Sequence, residues 1–188
     1  ALPTRKPGLL AAAMLSVVAL IPIFWSVHVR ATFALETCVP ASLSIYRQQY
    51  QMARFVRDEL GPHPRIAAND IGCLAFYTDA HVLDAFGLGS NAVTGLRRER
   101  RYSPATLDSL LRAGRITAVL VYRSWFTDAR ASGGTALPGT LHSAGTMHIA
   151  DNHGCADSTV EFLGTTPAAA DSLAKALGLS ISRLRWMT

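Results

Sequence analysis

Side chains that can bind a sugar or a phosphate follow three short apolar segments of this sequence. Asn69 and Asp70 stand at the end of the first segment, and Asp84 lies near the end of the second. Arg123 and Trp125 follow the third. Carboxylates accept hydrogen bonds from hydroxyl groups, arginine binds phosphate, and an aromatic face stacks on a pyranose ring. These residue types predict a ligand-binding site for a sugar or a sugar phosphate.

A structural role is the alternative for the two carboxylates. Asp70 can cap the helical turn that starts at Ile71, and Asp84 can accept hydrogen bonds from the amides of its own loop. Any α/β fold places some polar residues at strand ends, so their presence alone does not define a site.

The three apolar segments have the features of neighbouring parallel strands. Residues 117–122 (TAVLVY) are rich in β-formers and apolar on both faces, as a central parallel strand requires. Parallel strands end at one edge of their sheet, where open α/β sheets bind ligands. The order of elements predicts an α/β sandwich with a mainly parallel sheet and an antiparallel edge. The predicted strands are 65–69, 81–86, 117–122, 141–149 and 159–163. Helices are predicted over 42–60 with Ser42 as N-cap, over 102–113 with Ser103 as N-cap and over 167–177, and a helical turn is predicted through Tyr77.

Basic residues are concentrated in one short stretch of a chain whose net charge is +5. Arg97, Arg98, Arg100 and Arg101 surround Glu99. This arginine stretch predicts contact with phosphate or anionic headgroups, and a solvated face is the alternative. No interleaved aromatic residues or nucleic-acid reader motif accompany it, so no nucleic-acid partner is expected.

Cysteines and histidines do not form a recognisable metal or redox motif. Three cysteines, at positions 38, 73 and 155, allow one disulfide with three alternative pairings in an oxidising compartment. The histidines of residues 142–153 are not spaced as in a closed zinc site, so no metal is predicted. Residues 87–92 (GLGSNA) match a dinucleotide-binding pattern but lack its acidic residue at the end of the next strand, so we expect a glycine turn instead. No cofactor is identified.

An uncharged run of nineteen residues, 9–27, predicts a transmembrane helix. A helix of that length spans a hydrocarbon core of about 30 Å, and the preceding Arg5 and Lys6 place the N-terminal end in the cytoplasm. A cleaved signal ending near Ala34 and a buried core helix are the alternatives. The predicted division is a cytoplasmic flank (1–8), a transmembrane helix (9–29), a linker with an amphipathic helix (30–64) and an extracytoplasmic α/β domain (65–188).

Four segments of the chain resemble the C-terminal extracytoplasmic region of bacterial polytopic GT-C-type glycosyltransferase-like membrane proteins, which use polyprenyl-phosphate sugars. The likeness extends from the membrane helix nearly to Phe162. The segments are residues 45–56 (IYRQQYQMARFV), 68–72 (ANDIG), 84–89 (DAFGLG) and 121–126 (VYRSWF).

The resemblance implies a function but no catalytic residue in this chain. The catalytic acidic residue of such enzymes lies on their first extracytoplasmic loop, N-terminal to everything present here, and any divalent cation belongs to the full-length protein. The start at Ala1 instead of methionine agrees with a C-terminal portion. We therefore expect a bacterial cytoplasmic-membrane protein whose domain helps to bind an acceptor glycan or a lipid-linked sugar. A freestanding single-pass envelope protein with a binding or scaffolding role and a secreted hydrolase are the alternatives.

Overall fold

A long helix forms the N-terminal part of the protein, whose computed structural model describes residues 7–127 and 135–184. From Ala11 to Glu59 it has 49 residues, and its apolar part has a mean hydropathy of 2.0 and is not buried at all. The helix is therefore long and apolar enough to cross a membrane. Its successive parts are α1 (Pro7–Phe33), a π-helical segment (Ala34–Cys38), α2 (Val39–Ile45), a second π-helical segment (Tyr46–Tyr50) and α3 (Gln51–Glu59).

The predicted interruption of this helix at Pro40, with Ser42 as the N-cap of a new helix, is wrong. The Ser42 hydroxyl instead donates to the Cys38 carbonyl (2.8 Å), and the Ser44 hydroxyl donates to the Pro40 carbonyl (3.1 Å). Serine hydroxyls can bond carbonyls one turn back in this way. The π-helical segment just before Pro40 changes the local hydrogen-bond pattern where proline has no N–H to offer. The chain thus passes from the apolar run into the domain as one helix.

In the described part of the chain, five strands form one open, mixed sheet in the order β2-β1-β3-β5-β4. Strand β1 pairs in parallel with β2 and β3, whereas β5 pairs antiparallel with β3 and β4. The prediction of an α/β fold with a parallel part and an antiparallel edge is confirmed. The strands are β1 (Arg65–Ala68), β2 (His81–Asp84), β3 (Ala118–Val121), β4 (His142–His148) and β5 (Thr159–Gly164).

Helices cover both faces of the sheet, and each face has its own apolar core. One core joins α3 and the helices that carry Leu74 and Leu173, and the other joins the helices that carry Val93 and Leu107. Two of the helices, α5 and α7, were not predicted. The helices are α4 (Gly72–Tyr77), α5 (Asn91–Arg98), α6 (Pro104–Ala113), α7 (Ser124–Thr127) and α8 (Pro167–Leu184).

The predicted caps and ends of the later helices are partly confirmed. Ser103 caps α6, since its hydroxyl accepts from the Thr106 N–H (3.2 Å). Helix α8 begins at Pro167 as predicted but runs beyond Leu177. The glycine, serine, threonine and proline residues of 131–139 predict a loop, and residues 131–134 of that loop lie outside the described part of the chain.

The long helix also fixes the direction of the sheet. Its second π-helical segment lies beside Tyr122, which follows β3, and its end leads through a short loop to Arg65, which starts β1. We call the side where β1, β2 and β3 end the carboxyl edge, and the side where they begin the amino edge. The carboxyl edge is therefore the one nearer to the apolar run.

Candidate functional site

A buried polar network lies at the carboxyl edge, between the ends of β1 and β3. The Tyr122 hydroxyl donates to Gln48 Oε1 (2.6 Å) and accepts from the Gln49 side-chain amide. The Asn69 side-chain oxygen accepts from the Tyr122 backbone N–H (2.9 Å). We call these residues, together with Asp70, the carboxyl-edge network. It joins the long helix to two parallel strands.

The π-helical segment explains how two consecutive glutamines reach the same hydroxyl. In an α-helix, neighbouring side chains point about 100° apart, so only one of them would face the sheet. The wider turn over Tyr46–Tyr50 buries both Gln48 and Gln49. Wide turns of this kind are frequent at functional sites.

A second set of hydrogen bonds holds the same helix to the loop between β4 and β5. The Gln48 amide donates to the Asp157 carbonyl (3.0 Å). The Ser44 hydroxyl accepts from the His153 N–H (3.0 Å) and lies 3.3 Å from the Asp151 carbonyl. Because this loop also lies at the carboxyl edge, the helix is bonded to two separate parts of that edge, the end of β3 and the loop between β4 and β5.

The crevice between β1 and β3 is closed. Its side chains leave no room for a water molecule between them. Within the described part of the chain, Gln49 Oε1 and Asn69 Nδ2 are buried without a hydrogen-bond partner. Unsatisfied buried groups of this kind cost free energy. The arrangement therefore fits a packed junction better than a preformed pocket.

Asp70 is the titratable group of the network. Burial raises the pKa of Asp70, and the neighbouring polar groups of Gly72 and Tyr122 partly oppose that rise. Burial and then the nearby Asp70 charge raise the pKa of both the Cys73 and the Cys155 thiols. These two thiols and the exposed Cys38 are all free, so the predicted disulfide is not formed in this structure.

Asp84 organises the loop that follows β2. Its Oδ1 accepts from the N–H groups of Phe86 (2.9 Å) and Gly87 (2.8 Å). Its Oδ2 accepts from those of Gly89 and Ser90. Gly87 has a φ of 92°, which glycine adopts without strain, as the glycine-turn interpretation expects. The carboxylate is thus engaged by loop amides, the structural alternative, and its ligand role remains a prediction.

The side chains after β3 pack mainly against each other and against the chain. Arg123 forms a two-point ion pair with Glu161, with Nε 2.5 Å from Oε1. The ring of Trp125 contacts that of Phe86 (centroids 4.4 Å apart) and lies 5.9 Å from that of Tyr122. Trp125 is half-buried and remains partly accessible, whereas the guanidinium of Arg123 is already paired.

In the arginine stretch, one side chain bonds the loop after β2 and the other three are exposed. Arg97 donates to the Phe86 carbonyl (2.5 Å), and its guanidinium lies 4.1 Å from the centre of the Phe86 ring. Arg98, Arg100 and Arg101 are exposed. The next residue, Tyr102, donates its hydroxyl to the Ala85 carbonyl, which places the arginine stretch near the carboxyl edge.

Four exposed or half-exposed aromatic rings form a contiguous group on the side of the long helix. Tyr46 and Tyr50 stack with centroids 5.3 Å apart, and Tyr77 meets Tyr50 edge-on at 5.0 Å. Phe76 extends the group beside Tyr77 and is 79% exposed. Such rings offer faces for sugars or apolar partners.

The structure brings some of the predicted residues together and leaves others apart. Asn69, Asp70 and Trp125 surround Tyr122, while Asp84 and Arg123 are held by their own loop and ion pair. The sequence prediction missed Gln48, Gln49 and Tyr122 as parts of one network. The spacing of the helix could have indicated Gln48, because it stands four residues from both Ser44 and Met52 and therefore lies on the same helix face as these two buried residues.

The described residues contain no group of three or more histidine, cysteine, aspartate or glutamate side chains placed to hold a metal ion. His148, one of the histidines considered, instead bonds the Thr159 hydroxyl through Nδ1 (2.9 Å).

Fold and site together define an α/β domain carried on a candidate membrane-spanning helix. Residues 41–163 match the model of a family described as a domain of unknown function, DUF8728, and the chain belongs to that family. The match begins at Ala41, the residue packed against Gly154, and ends at Leu163 in β5, so it excludes both the apolar run and α8. No curated protein and no solved structure matches the chain.

Proposed function

We propose that this chain is the extracytoplasmic part of a GT-C-type glycosyltransferase-like protein of the bacterial cytoplasmic membrane. Its domain helps to bind a lipid-linked sugar or an acceptor glycan, and the catalytic residue lies outside the chain. The observation that carries the proposal is the direct continuity of the apolar helix with the carboxyl edge. If the helix spans the bilayer, that edge faces the membrane surface.

The height of the domain above the bilayer suits a lipid-linked ligand. Ser44 is the first buried residue in the described part of the helix. Fifteen residues separate it from Val29, the predicted end of the membrane segment, which corresponds to roughly 20 Å of helix. A sugar carried on a polyprenyl phosphate projects into this space, as do the extracytoplasmic loops of a larger membrane protein.

Several accessible side chains at this edge have the chemistry that such a ligand needs. Arg98, Arg100 and Arg101 are exposed near the carboxyl edge and suit phosphate oxygens. Asp70 and Trp125 are partly accessible and suit sugar hydroxyls and a pyranose face. The exposed aromatic group at Tyr46 to Phe76 adds further stacking surface.

The test is binding of a polyprenyl-phosphate sugar to the full chain in lipid nanodiscs. Replacing Arg98, Arg100 and Arg101 together by alanine should weaken binding at least tenfold, since three phosphate-directed charges are lost. Arg57→Ala, which removes an exposed arginine of α3, is the matched control and should bind like the parent. Equal binding by the triple variant and the parent would refute the phosphate role.

A scaffolding role in the cell envelope is the second candidate, and the closed crevice favours it. Most predicted contact groups are engaged within the chain, and the crevice between β1 and β3 has no room for a ligand. Under this alternative, neither the triple arginine variant nor Trp125→Ala changes lipid-linked sugar binding, because the parent itself does not bind. The same titration of the parent therefore separates the two candidates.

A further inference from the structure

An open cavity of about 340 Å³ lies at the amino edge, away from the apolar run. It forms where the end of α6, the start of β4 and the turn between β5 and α8 meet. Its volume lies within the range of small-molecule sites. None of the predicted site residues contributes to it. Its lining residues are Asp108, Leu111, Arg112, Arg115, Ile116, Thr140, Leu141, Thr165 and Thr166.

Arg115 is the unusual residue of this cavity. The turn after α6 is a Schellman motif, since the Ile116 N–H bonds the Leu111 carbonyl (2.9 Å) and the Arg115 N–H bonds the Arg112 carbonyl (2.9 Å). The left-handed position of that motif normally holds glycine, yet here it holds Arg115 with a φ of 50°. A side chain in this conformation is disfavoured relative to glycine. The fold alone therefore does not account for arginine at this position.

The charges around the cavity leave one cation available. Asp108 is engaged by Arg112 (2.8 Å) and by the Thr140 hydroxyl (2.8 Å). Among the described residues, the Arg115 side chain has no hydrogen-bond or ion-pair partner, although it is exposed at the cavity. The negative charge of Asp108 is balanced by Arg112, so the cavity carries a net positive charge.

Neighbouring groups add donors for an anion. The Thr166 hydroxyl oxygen accepts from the Ala169 N–H (3.1 Å), which leaves its own proton free to donate toward the cavity. Helix α8, of 18 residues, begins at Pro167 beside it and presents the positive end of its dipole. Leu111, Ile116 and Leu141 supply an apolar wall. The helix end is a secondary contribution, since the cavity and the unpaired guanidinium define the site.

We propose that the amino-edge cavity binds a small soluble phosphomonoester, with Arg115 as the principal phosphate ligand and the apolar wall contacting the organic group. The phosphate group that binds here belongs to a soluble compound and not to a lipid headgroup, because the amino edge points away from the apolar run. The site is separate from the carboxyl edge, so the proposal does not depend on the proposed glycosyltransferase-related function.

The decisive variant is Arg115→Gly, tested in the full chain in nanodiscs with phenyl phosphate as the probe. Glycine fits the left-handed position, so the variant should fold with an unfolding midpoint unchanged or raised by up to about 4 °C. Its affinity for phenyl phosphate should fall at least tenfold. Inorganic phosphate, which cannot use the apolar wall, should bind the parent more weakly than phenyl phosphate does.

Asp151→Gly is the matched control, because Asp151 also has a left-handed φ of 53° and lies in the loop between β4 and β5 at the other edge. This variant should bind phenyl phosphate like the parent and should share any gain in stability. The proposal is overturned if the parent binds no phenyl phosphate, if Arg115→Gly binds it as tightly as the parent, or if Asp151→Gly loses it to the same degree.

Discussion

The two edges of the sheet differ in what their polar groups do. At the carboxyl edge, the Tyr122 hydroxyl, Asp84 and Arg123 are occupied by partners within the chain, and the crevice is closed. At the amino edge, a cavity of about 340 Å³ is open, and Arg115 has no side-chain partner within the described residues. The carboxyl edge therefore has more of the polar residues discussed but fewer polar groups that are free to bind a ligand.

The two edges therefore use their polar side chains differently: those of the carboxyl edge position the long helix, whereas Arg115 at the amino edge is available to bind a ligand. The carboxyl edge uses its polar side chains to hold a long helix against the end of β3 and the loop between β4 and β5, so they act mainly as a junction. Under the proposed function, ligand contact at that edge falls to exposed side chains around the junction, such as Trp125 and the arginine stretch. At the amino edge the fold is complete without the Arg115 side chain, which is then free for a ligand.

Removing the Asp84 carboxylate should have the largest effect on the carboxyl edge. Asp84→Ala leaves four loop N–H groups without their acceptor, which should lower the free energy of unfolding by about 3 kcal/mol or more. Chemical denaturation of the full chain measures this. Asp171→Ala, at an exposed position of α8, should change stability by less than about 1 kcal/mol. Equal small effects of both changes would contradict the structural role of Asp84.

Removing the Tyr122 hydroxyl should weaken the junction by an intermediate amount. Tyr122→Phe leaves the side chains of Gln48 and Gln49 without this buried partner, which should cost about 1–3 kcal/mol. Hydrogen exchange should also become faster in the second π-helical segment. Tyr46→Phe is the control, since the ring of Tyr46 is half exposed and its loss of a hydroxyl should have little effect. A Tyr122→Phe variant as stable as the parent would show that the network does not hold the helix.

Neutralising Asp70 should change the free energy of unfolding least, and it should raise stability where the two changes above lower it. Its raised pKa means that the folded state holds the proton more tightly than the unfolded chain does. Stability from this group is therefore full below its ordinary pKa of 3.8 and is lost as pH rises through the raised value. At neutral pH, Asp70→Asn should be slightly more stable than the parent.

The pH dependence of that difference is the check. Thermal melts of the two proteins should converge as pH falls below about 3.8, where the parent is protonated in both states. A parent that gains stability relative to Asp70→Asn as pH rises would instead place a favourable partner on the charged carboxylate.

Local signals predicted much of the fold. The apolar strand over 117–122 and the Ser103 cap before Pro104 appear in the structure because each is set by neighbouring residues. The uninterrupted helix through Pro40 could not be predicted from neighbouring residues. It depends on serine hydroxyls that bond carbonyls one turn back and on π-helical segments before and after α2. Helix α5 was missed because only Val93 and Leu96 of its eight residues contact the core.

The site was less predictable than the fold. The positions of Asn69, Asp70 and Asp84 at strand ends followed from the strand pattern. Whether a carboxylate is free or engaged depends on loop geometry, as the four amides around Asp84 show. The amino-edge cavity joins Arg115 to residues near 140 and 165, and no local pattern brings such distant segments together.

We infer that the long helix holds the carboxyl edge toward the membrane, and energy transfer to lipids measures this orientation. A donor dye is placed at Leu88→Cys on the carboxyl edge or at Gly139→Cys near the amino edge, in a background with the native cysteines replaced. Acceptor-labelled headgroups occupy the vesicle leaflet on the side of the domain. We predict stronger transfer from position 88 than from position 139. Equal transfer, or stronger transfer from position 139, would contradict the account.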